Sequence, residues 1–387
     1  MDKIGIVIIA YNRIKSLNRL LISLNNVVYH GDEVDLIISI DCSGNEEVFN
    51  EAFRFEWLFG EKKIIRHEKR LGLKKHVLSC GKFTDHYKGI CILEDDIFVS
   101  PAFYTFTKQA IDYYIYDDNV AGISLYTHLF NYCIDRPFQA VEDGNDVFFM
   151  QQAQSWGQIW TKKKWDNFLN WISVNESISF KSNDFPDSIA NWPDSSWLKF
   201  HNKYIVDNNL FFVYPRVSLT SNFSDIGTHN SLSSNTYQVP LQLDTSKEFS
   251  FLAFDDSKAV YNIFFENITL KKSLGTSEKE TTIDLYNNHK KPKRFWLTTN
   301  QNKHFRILKS YALTMRPHDL NVIFNIPGND VFLYDTSERA ENQFQKNNLL
   351  KMYLYDTRIA LSYKHIKLVI VFFLTRILQK IQGLVNS

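Results

Sequence analysis

The sequence predicts an α/β fold: a mostly parallel sheet with helices on both faces, followed by a C-terminal α+β region. Two observations carry that prediction. Strand-like and helix-like segments alternate strictly through the first hundred residues, the pattern of βα units whose sheet is covered on both sides. The apolar run Gly89-Ile90-Cys91-Ile92-Leu93 then ends abruptly in Glu94-Asp95-Asp96, as a buried strand does when it delivers polar groups to the edge of a sheet.

Taken in order, Ile4 to Ile9 reads as a buried strand, and Asn18 to Leu24 as a helix with Leu17, Leu20, Leu21 and Leu24 on one face. Asp35 to Ile40 is a second strand that ends at Asp41. A helix around Glu46 to Phe59, a short strand Lys63 to Arg66 and a helix from Leu73 to Phe83 lead into the strand before the acids, and Ser100-Pro101 starts the next helix. A further strand is expected from Leu210 to Leu219. Pro240 to Glu248 reads as a linker, and Asp330 to Tyr334 as a short strand in a region that also carries the basic, aromatic stretch Lys291 to Trp296. The expected division is residues 1–238, 239–348 and a basic C-terminal helix over 349–387.

Composition bounds the function. At 387 residues the chain has room for more than one domain. A net charge of +1 with scattered lysines excludes a broad basic face, so nucleic acid is not the expected partner. Aromatic residues make up 15% of the chain, enough to line a cleft as well as fill cores. Cys42, Cys80, Cys91 and Cys133 show no C-x-x-C pairing and read as free thiols of a reducing cytosol. Met1-Asp2-Lys3 leads into a strand without a cleavage-site pattern, so no signal peptide is expected, and the N-x-S/T triplets at Asn175, Asn222 and Asn267 read as accidental. No run reaches the roughly 18 apolar residues of a spanning helix.

In a parallel sheet the ligand lies across the carboxyl ends of the strands. Three ends are polar: Ala10-Tyr11-Asn12-Arg13, Asp41-Cys42-Ser43-Gly44 and Glu94-Asp95-Asp96. Arg13 suits a phosphate, Asp41 can accept from a base or ribose, and Asp96 suits a metal ion. Three crowded carboxylates repel unless something positive sits among them, and a divalent cation shared with substrate phosphates is a common occupant. Each position also has a structural reading: an acidic turn after a core strand, or, for Asp41, a turn residue before Gly44. Both the P-loop pattern and G-x-G-x-x-G after the first strand are missing, so glycines do not form the phosphate cradle.

These residues carry a family resemblance. The segments Ile6 to Arg13, Asp41 to Gly44, Arg70-Leu71-Gly72-Leu73 and Leu93 to Asp96 resemble the nucleotide-sugar half of a GT-A glycosyltransferase. The nearest likeness is to bacterial family-2-like nucleotide-diphospho-sugar transferases, with a more distant one to the N-acetylglucosaminyltransferase I family. It continues through Ser155 to Thr161 with Trp165, Asp194-Ser195-Ser196-Trp197, Pro215 to Ser221 and Gly227-Thr228-His229, and so spans residues 3–235.

The resemblance implies an inverting hexosyl- or N-acetylhexosaminyltransferase. It would take a nucleotide-diphosphate sugar, a UDP-sugar foremost, use Mn2+ or Mg2+, and transfer to a glycan or lipid-linked glycan of a bacterial surface polysaccharide. Ala10, Tyr11, Arg13, Asp41, Arg70, Glu94, Asp95, Ser155, Trp156 and Gly157 would then contact the donor, and Asp96 and His229 the metal. Asp194 would be the catalytic base; relatives place that acid two residues before the tryptophan rather than three, which leaves Asp184 and Asp187 as alternatives. Among the tryptophans, Trp156, Trp160, Trp165, Trp192 and Trp197 are divided between an acceptor platform and core. His76 reads as a packing residue. The expected location is the cytoplasm, at the inner face of the membrane. Lys364, Lys367, Arg376 and Lys380 flank Leu368 to Leu374, a composition that fits an anionic membrane surface and equally a helix packed on the catalytic domain or on a second subunit.

Overall fold

The computed structural model describes residues 3–223, 225, 235–344, 348–358 and 363–385. Two compact units are present, Met1–Asn342 and Gln343–Ser387. The first is mixed α/β, built on a nine-stranded, mostly parallel sheet.

The first strands lie where the sequence puts them. β1 (Ile4–Ala10), β2 (Asp35–Ile40), β3 (Lys62–Arg66) and β4 (Gly89–Glu94) pair in parallel in the order β4-β1-β2-β3. Successive side chains of a strand point to opposite faces. Ile6, Ile8, Leu36, Ile38, Cys91 and Leu93 therefore enter one core, and Val7, Ile9, Ile37, Ile90 and Ile92 the other. Helix α1 (Ile14–Asn25) covers the first face with Leu17, Leu20, Leu21 and Leu24, all buried. Helix α2 is Glu46–Arg54, capped by the Asn45 side chain. Helix α3 (Leu73–Cys80) contributes Val77 and Cys80 to the second face.

Past β4 the sheet mixes directions. The short β5 (Ile97–Val99) turns off it, α4 (Phe103–Tyr114) returns over the first face, and β6 (Val120–Ser124) rejoins the sheet. Gln158–Trp160 lies antiparallel between β4 and β6. Phe211–Pro215 pairs parallel to β6, Val147–Met150 antiparallel beyond it, and Val260–Tyr261 closes the far edge.

Three expected elements end early, each for a packing reason. The helix expected to run to Phe59 stops at Arg54 because Trp57 and Phe59 turn inward onto Tyr29, with ring centroids 5.5 and 4.4 Å away, and the Trp57 indole donates to the Val34 carbonyl at 2.8 Å. The helix expected to reach Phe83 becomes a 3-10 turn at Gly81–Asp85, where the Trp165 ring lies 1.9 Å from the point a Cβ of residue 81 would occupy. The strand expected over Leu210 to Leu219 is confined to Phe211–Pro215, and a separate strand beyond it, Thr220–Asn222, leaves the sheet to pair with β5.

Residues 239–342 lie in the same compact unit as the sheet. The expected linker Pro240 to Glu248 is tied down where Leu241 bridges Ser218 and the Gln242 amide donates to the Ser218 carbonyl at 2.9 Å. Phe249 and Phe254 then pack on Phe106 and Phe149 at 5.0 and 5.3 Å. A four-stranded sheet follows, in the order Thr281–Asp284, Phe295–Thr298, Val331–Arg339, Phe305–Tyr311. In the second unit the single helix expected from Leu349 to Leu384 is two, Asn348–Thr357 and Tyr363–Val385. No helix among the described residues is long and apolar enough to cross a membrane. All four cysteines are free, and Asn222 and Asn267 of the N-x-S/T triplets are buried.

Candidate active site

Register brings the polar strand ends level. Ile9 lies beside Glu94 and Ala10 beside Ile40, and the Asp41 amide donates to the Ala10 carbonyl at 2.9 Å. Residues 10–13, 41 and 94–96 therefore share one edge of the sheet, as expected for the carboxyl ends of parallel strands.

Arg13 stands at the start of α1 with its guanidinium inside the acid cluster. It donates to Asp96 Oδ2 at 2.9 Å and to Asp95 Oδ1. Burial opposes its charge, and the two carboxylates outweigh that and push its pKa up. Burial in turn pushes the Asp95 carboxyl up to about 6 against the pull of Arg13, and burial with Asp96 raises Glu94. The other oxygen of Asp96, Oδ1, is buried with no hydrogen-bond partner among the described residues. No side chain caps α1 and no acid lies in its first turn, which leaves the partial positive charge of the helix start at the same corner.

Asp41, the nucleoside contact that the resemblance implies, is hydrogen-bonded within the chain. Its Oδ1 accepts from the amides of Cys42 and Leu71 at 2.9 and 2.7 Å, and its Oδ2 from Gly72 at 2.9 Å. Burial pushes its carboxyl up, but the three amides outweigh burial and hold it below the usual carboxylate range. The visible work of Asp41 is to clamp the turn before α3, where Gly72 has a φ of +75°. That clamp sets Arg70 over the Tyr11 ring at 5.1 Å.

Ser155-Trp156-Gly157 precedes Gln158–Trp160, and because that strand runs antiparallel to β4, the loop borders the acid end of β4. Gly157 has a φ of +100°, and the Thr220 hydroxyl donates to the Trp156 carbonyl at 2.6 Å. Trp156 stands edge-on to Tyr126 at 4.7 Å, whereas Trp160, Trp165 and Trp197 are buried core residues. His76 is buried too, 2.7 Å from the Ser39 hydroxyl, and burial lowers its pKa to about 4. His229 lies outside the described residues, as do Gly227 and Thr228. Residues before them are anchored: the Phe223 ring sits 3.7 Å under Arg19, and Asp225 accepts from Ser16 at 2.7 Å and pairs with Arg19.

Asp194 is not brought into the acid cluster. Its side chain is 88% exposed and pairs with Lys199 Nζ at 2.9 Å, a hydrogen bond that lowers its pKa. Lys74, near the start of α3 and 3.5 Å over the Phe200 ring, adds its field. Asp194 thus stands on the α3 side of the edge. Of the alternatives, Asp187 pairs with Lys290. The contributions of Ser16, Arg19, Asp225, Lys74 and Lys199 escaped the sequence reading; only the helical spacing of Ser16 and Arg19 behind Arg13 hinted at them.

No protein-family model matches the chain, and no curated protein is similar to it. Among solved structures it is similar to a mannosyltransferase, PcManGT from Pyrobaculum calidifontis in complex with GDP-Man and Mn2+, with 10% identity over 62% of this chain and 55% of that one, at a TM-score of 0.34. TarS residues 1–349 from S. aureus is similar at 14% identity over 56% of this chain and 59% of that one, with a TM-score of 0.36. The same TarS fragment with UDP-GlcNAc gives 12% identity, 59% and 60% coverage, and 0.35. The chain spans between half and three fifths of these structures. At that level of likeness the functional reading rests on the site's own residues.

Proposed function

We propose that this protein is a glycosyltransferase that moves a hexosyl or N-acetylhexosaminyl group from a nucleotide-diphosphate sugar, a UDP-sugar foremost, to a glycan or lipid-linked glycan of a bacterial surface polysaccharide. The observation that carries the reading is the corner made by Arg13, Asp95 and Asp96 at the carboxyl end of a parallel sheet, with one buried carboxylate oxygen that has no hydrogen-bond partner among the described residues. Among the described residues no three His, Cys, Asp or Glu side chains are grouped to hold an ion alone. One carboxylate oxygen plus substrate phosphates is nevertheless a sufficient donor set for Mn2+ or Mg2+, and Asp96 Oδ1 fits that role, with His229 as a further ligand. Such a cation would stabilise the charge that develops on the leaving nucleotide diphosphate.

The chain's own residues supply the rest. Arg13 and the uncapped start of α1 favour the diphosphate at their corner. Tyr11 with Arg70 forms the wall for the nucleoside, and Ser155-Trp156-Gly157 the floor under the sugar. Asp194 takes the proton of the acceptor hydroxyl as it attacks, exchanging its bond to Lys199 for one to the acceptor. Attack from the face opposite the leaving diphosphate inverts the anomeric centre. Exposure of Asp194 and its ion pair with Lys199 favour a second reading, a nucleotide-sugar-binding protein of the same fold without transfer activity.

Transfer and donor hydrolysis measured across a panel of nucleotide sugars, with and without Mn2+, separate the two readings. Metal-dependent turnover by the wild type that is lost in Asp194→Ala supports the enzyme. Metal-dependent binding without turnover supports the second reading, and binding of none ends both. The helix Tyr363–Val385 would hold the protein at a lipid-linked acceptor: Leu368 to Leu374 are 50–67% exposed and flanked by basic residues, each contributing on the order of 1 kcal/mol at an anionic surface. Deleting residues after 362 should abolish binding to phosphatidylglycerol liposomes and spare turnover on a soluble acceptor; loss of the soluble activity would remove the membrane role.

A further inference from the structure

Far from the acid end of β4, residues 254–293 enclose a second cleft of about 330 Å³. Four lysines line it, Lys271, Lys272, Lys279 and Lys293, against two carboxylates, Asp255 and Glu278. None of the four forms an ion pair with another described residue, although Lys293 Nζ donates to the Lys279 carbonyl at 2.9 Å. Lys271 is half-buried, and its pKa is lowered by burial first and by Lys293 next, with Glu278 only partly opposing. Phe254, Val260 and Ile268 contribute an apolar floor, a combination of apolar lining and converging polar groups typical of a ligand site.

Lys272, Lys279 and Lys293 are exposed, so the cost falls on Lys271, whose half-buried charge beside like charges is unfavourable unless an anion joins it. A lysine ammonium is a compact point charge, suited to phosphate or carboxylate oxygens without the planar fork of arginine. Strand directions also give the cleft its place. The start of Val260–Tyr261 falls on the same edge of the sheet as the carboxyl end of β4, five strands away, or about 24 Å at the usual spacing.

We propose that this cleft binds a polyanion, a ligand carrying two or more phosphate or carboxylate groups, at a site separate from Glu94–Asp96. Where the transferase reading holds, and resting on it, that ligand is the charged part of an acceptor chain that runs along the sheet edge. The binding itself does not depend on that reading.

Calorimetric titration of the full-length protein with inorganic tripolyphosphate, and separately with citrate, tests the proposal. Wild type should bind with the same affinity in the absence and presence of saturating UDP at low salt, and Lys271→Gln/Lys293→Gln at least ~10-fold more weakly. Glu278→Gln, which removes an opposing charge, should bind about threefold more tightly, so that a loss in the lysine variant is not mistaken for misfolding. Tighter binding of tripolyphosphate identifies a phosphate ligand, and tighter binding of citrate a carboxylate one. An unchanged lysine variant, loss of binding in the presence of UDP, or no saturable binding by the wild type would overturn it.

Discussion

Glu94, Asp95 and Asp96 stand at a strand end with the Arg13 guanidinium among them, whereas Glu266, Asp284 and Asp319 meet in the interior of residues 260–330 with no lysine or arginine paired to them among the described residues. The two trios solve the same problem differently. At the edge burial raises Glu94, and Asp95 to about 6, but a fixed cation, Arg13, opposes it and pairs with Asp95 and Asp96. In the interior burial comes first and raises all three: Glu266 well above its usual range, Asp284 to about 6 and Asp319 to about 7. Their carboxyl oxygens accept from neutral donors, namely the Tyr286 amide, the Trp296 indole and the Tyr261 hydroxyl. What separates the edge trio from the interior one is thus the cation that accompanies it.

Removing Asp96 tests that distinction most severely. Asp96→Ala should lower transfer by at least ~10³-fold and abolish the manganese-dependent gain in nucleotide affinity, while the circular dichroism spectrum stays native because the residue lies at a strand end. Asp194→Ala comes next: kcat should fall by roughly 10²–10⁴ with nucleotide affinity unchanged, and NMR of the wild-type product should show an inverted anomeric centre. Retained configuration would take Asp194 out of the base role.

Arg13→Gln should make the edge trio behave like the interior one. Asp95 and Asp96 lose their cation, nucleotide affinity falls about tenfold, and the fold loses about 1–3 kcal/mol, less than for a fully enclosed pair because solvent reaches Arg13. Adding Asp96→Asn should restore part of that stability in urea unfolding. Additive losses would mean that the guanidinium packs on the site without balancing its charge.

The two trios also differ in how far the sequence exposes them. Glu94-Asp95-Asp96 is contiguous and follows an apolar run, so one strand assignment places all three, and parallel pairing alone brings Arg13 and Asp41 beside them. What remained hidden is what each atom binds: the Asp41 carboxylate looks free as a strand-end acid and is spent on amides of residues 71 and 72, which no local pattern pairs with it. Asp194 sits in a recognisable segment, yet its ion pair with Lys199 and exposure depend on how the helix Trp197–Asp207 docks on α3. Glu266, Asp284 and Asp319 are far apart in the chain and were invisible, because only the packing of residues 260–330 against the sheet edge brings them together.

The smallest effect expected is one of pH, and it belongs to the interior trio. Among the described residues Asp319 Oδ1 is buried without a hydrogen bond, 3.6 Å from His318 Nε2, while Oδ2 accepts from Tyr261 at 3.2 Å. Its folded-state pKa, raised to about 7 by burial, lies above the unfolded value of about 4. Below the unfolded value both states are protonated and the full stability is present. Between about pH 4 and 7 the unfolded chain ionises while the folded one keeps its proton, so stability falls as pH rises, and it levels off above the folded pKa. Asp319→Asn cannot ionise, keeps an acceptor for Tyr261 and offers an N–H toward His318. Its advantage over wild type should therefore be small near pH 4.5 and grow to at most about 3 kcal/mol by pH 8, read from urea unfolding at pH 4.5, 6 and 8. A difference that is constant over that range would mean that Asp319 is ionised in the fold, and that the interior trio, like the edge one, has a cation of its own.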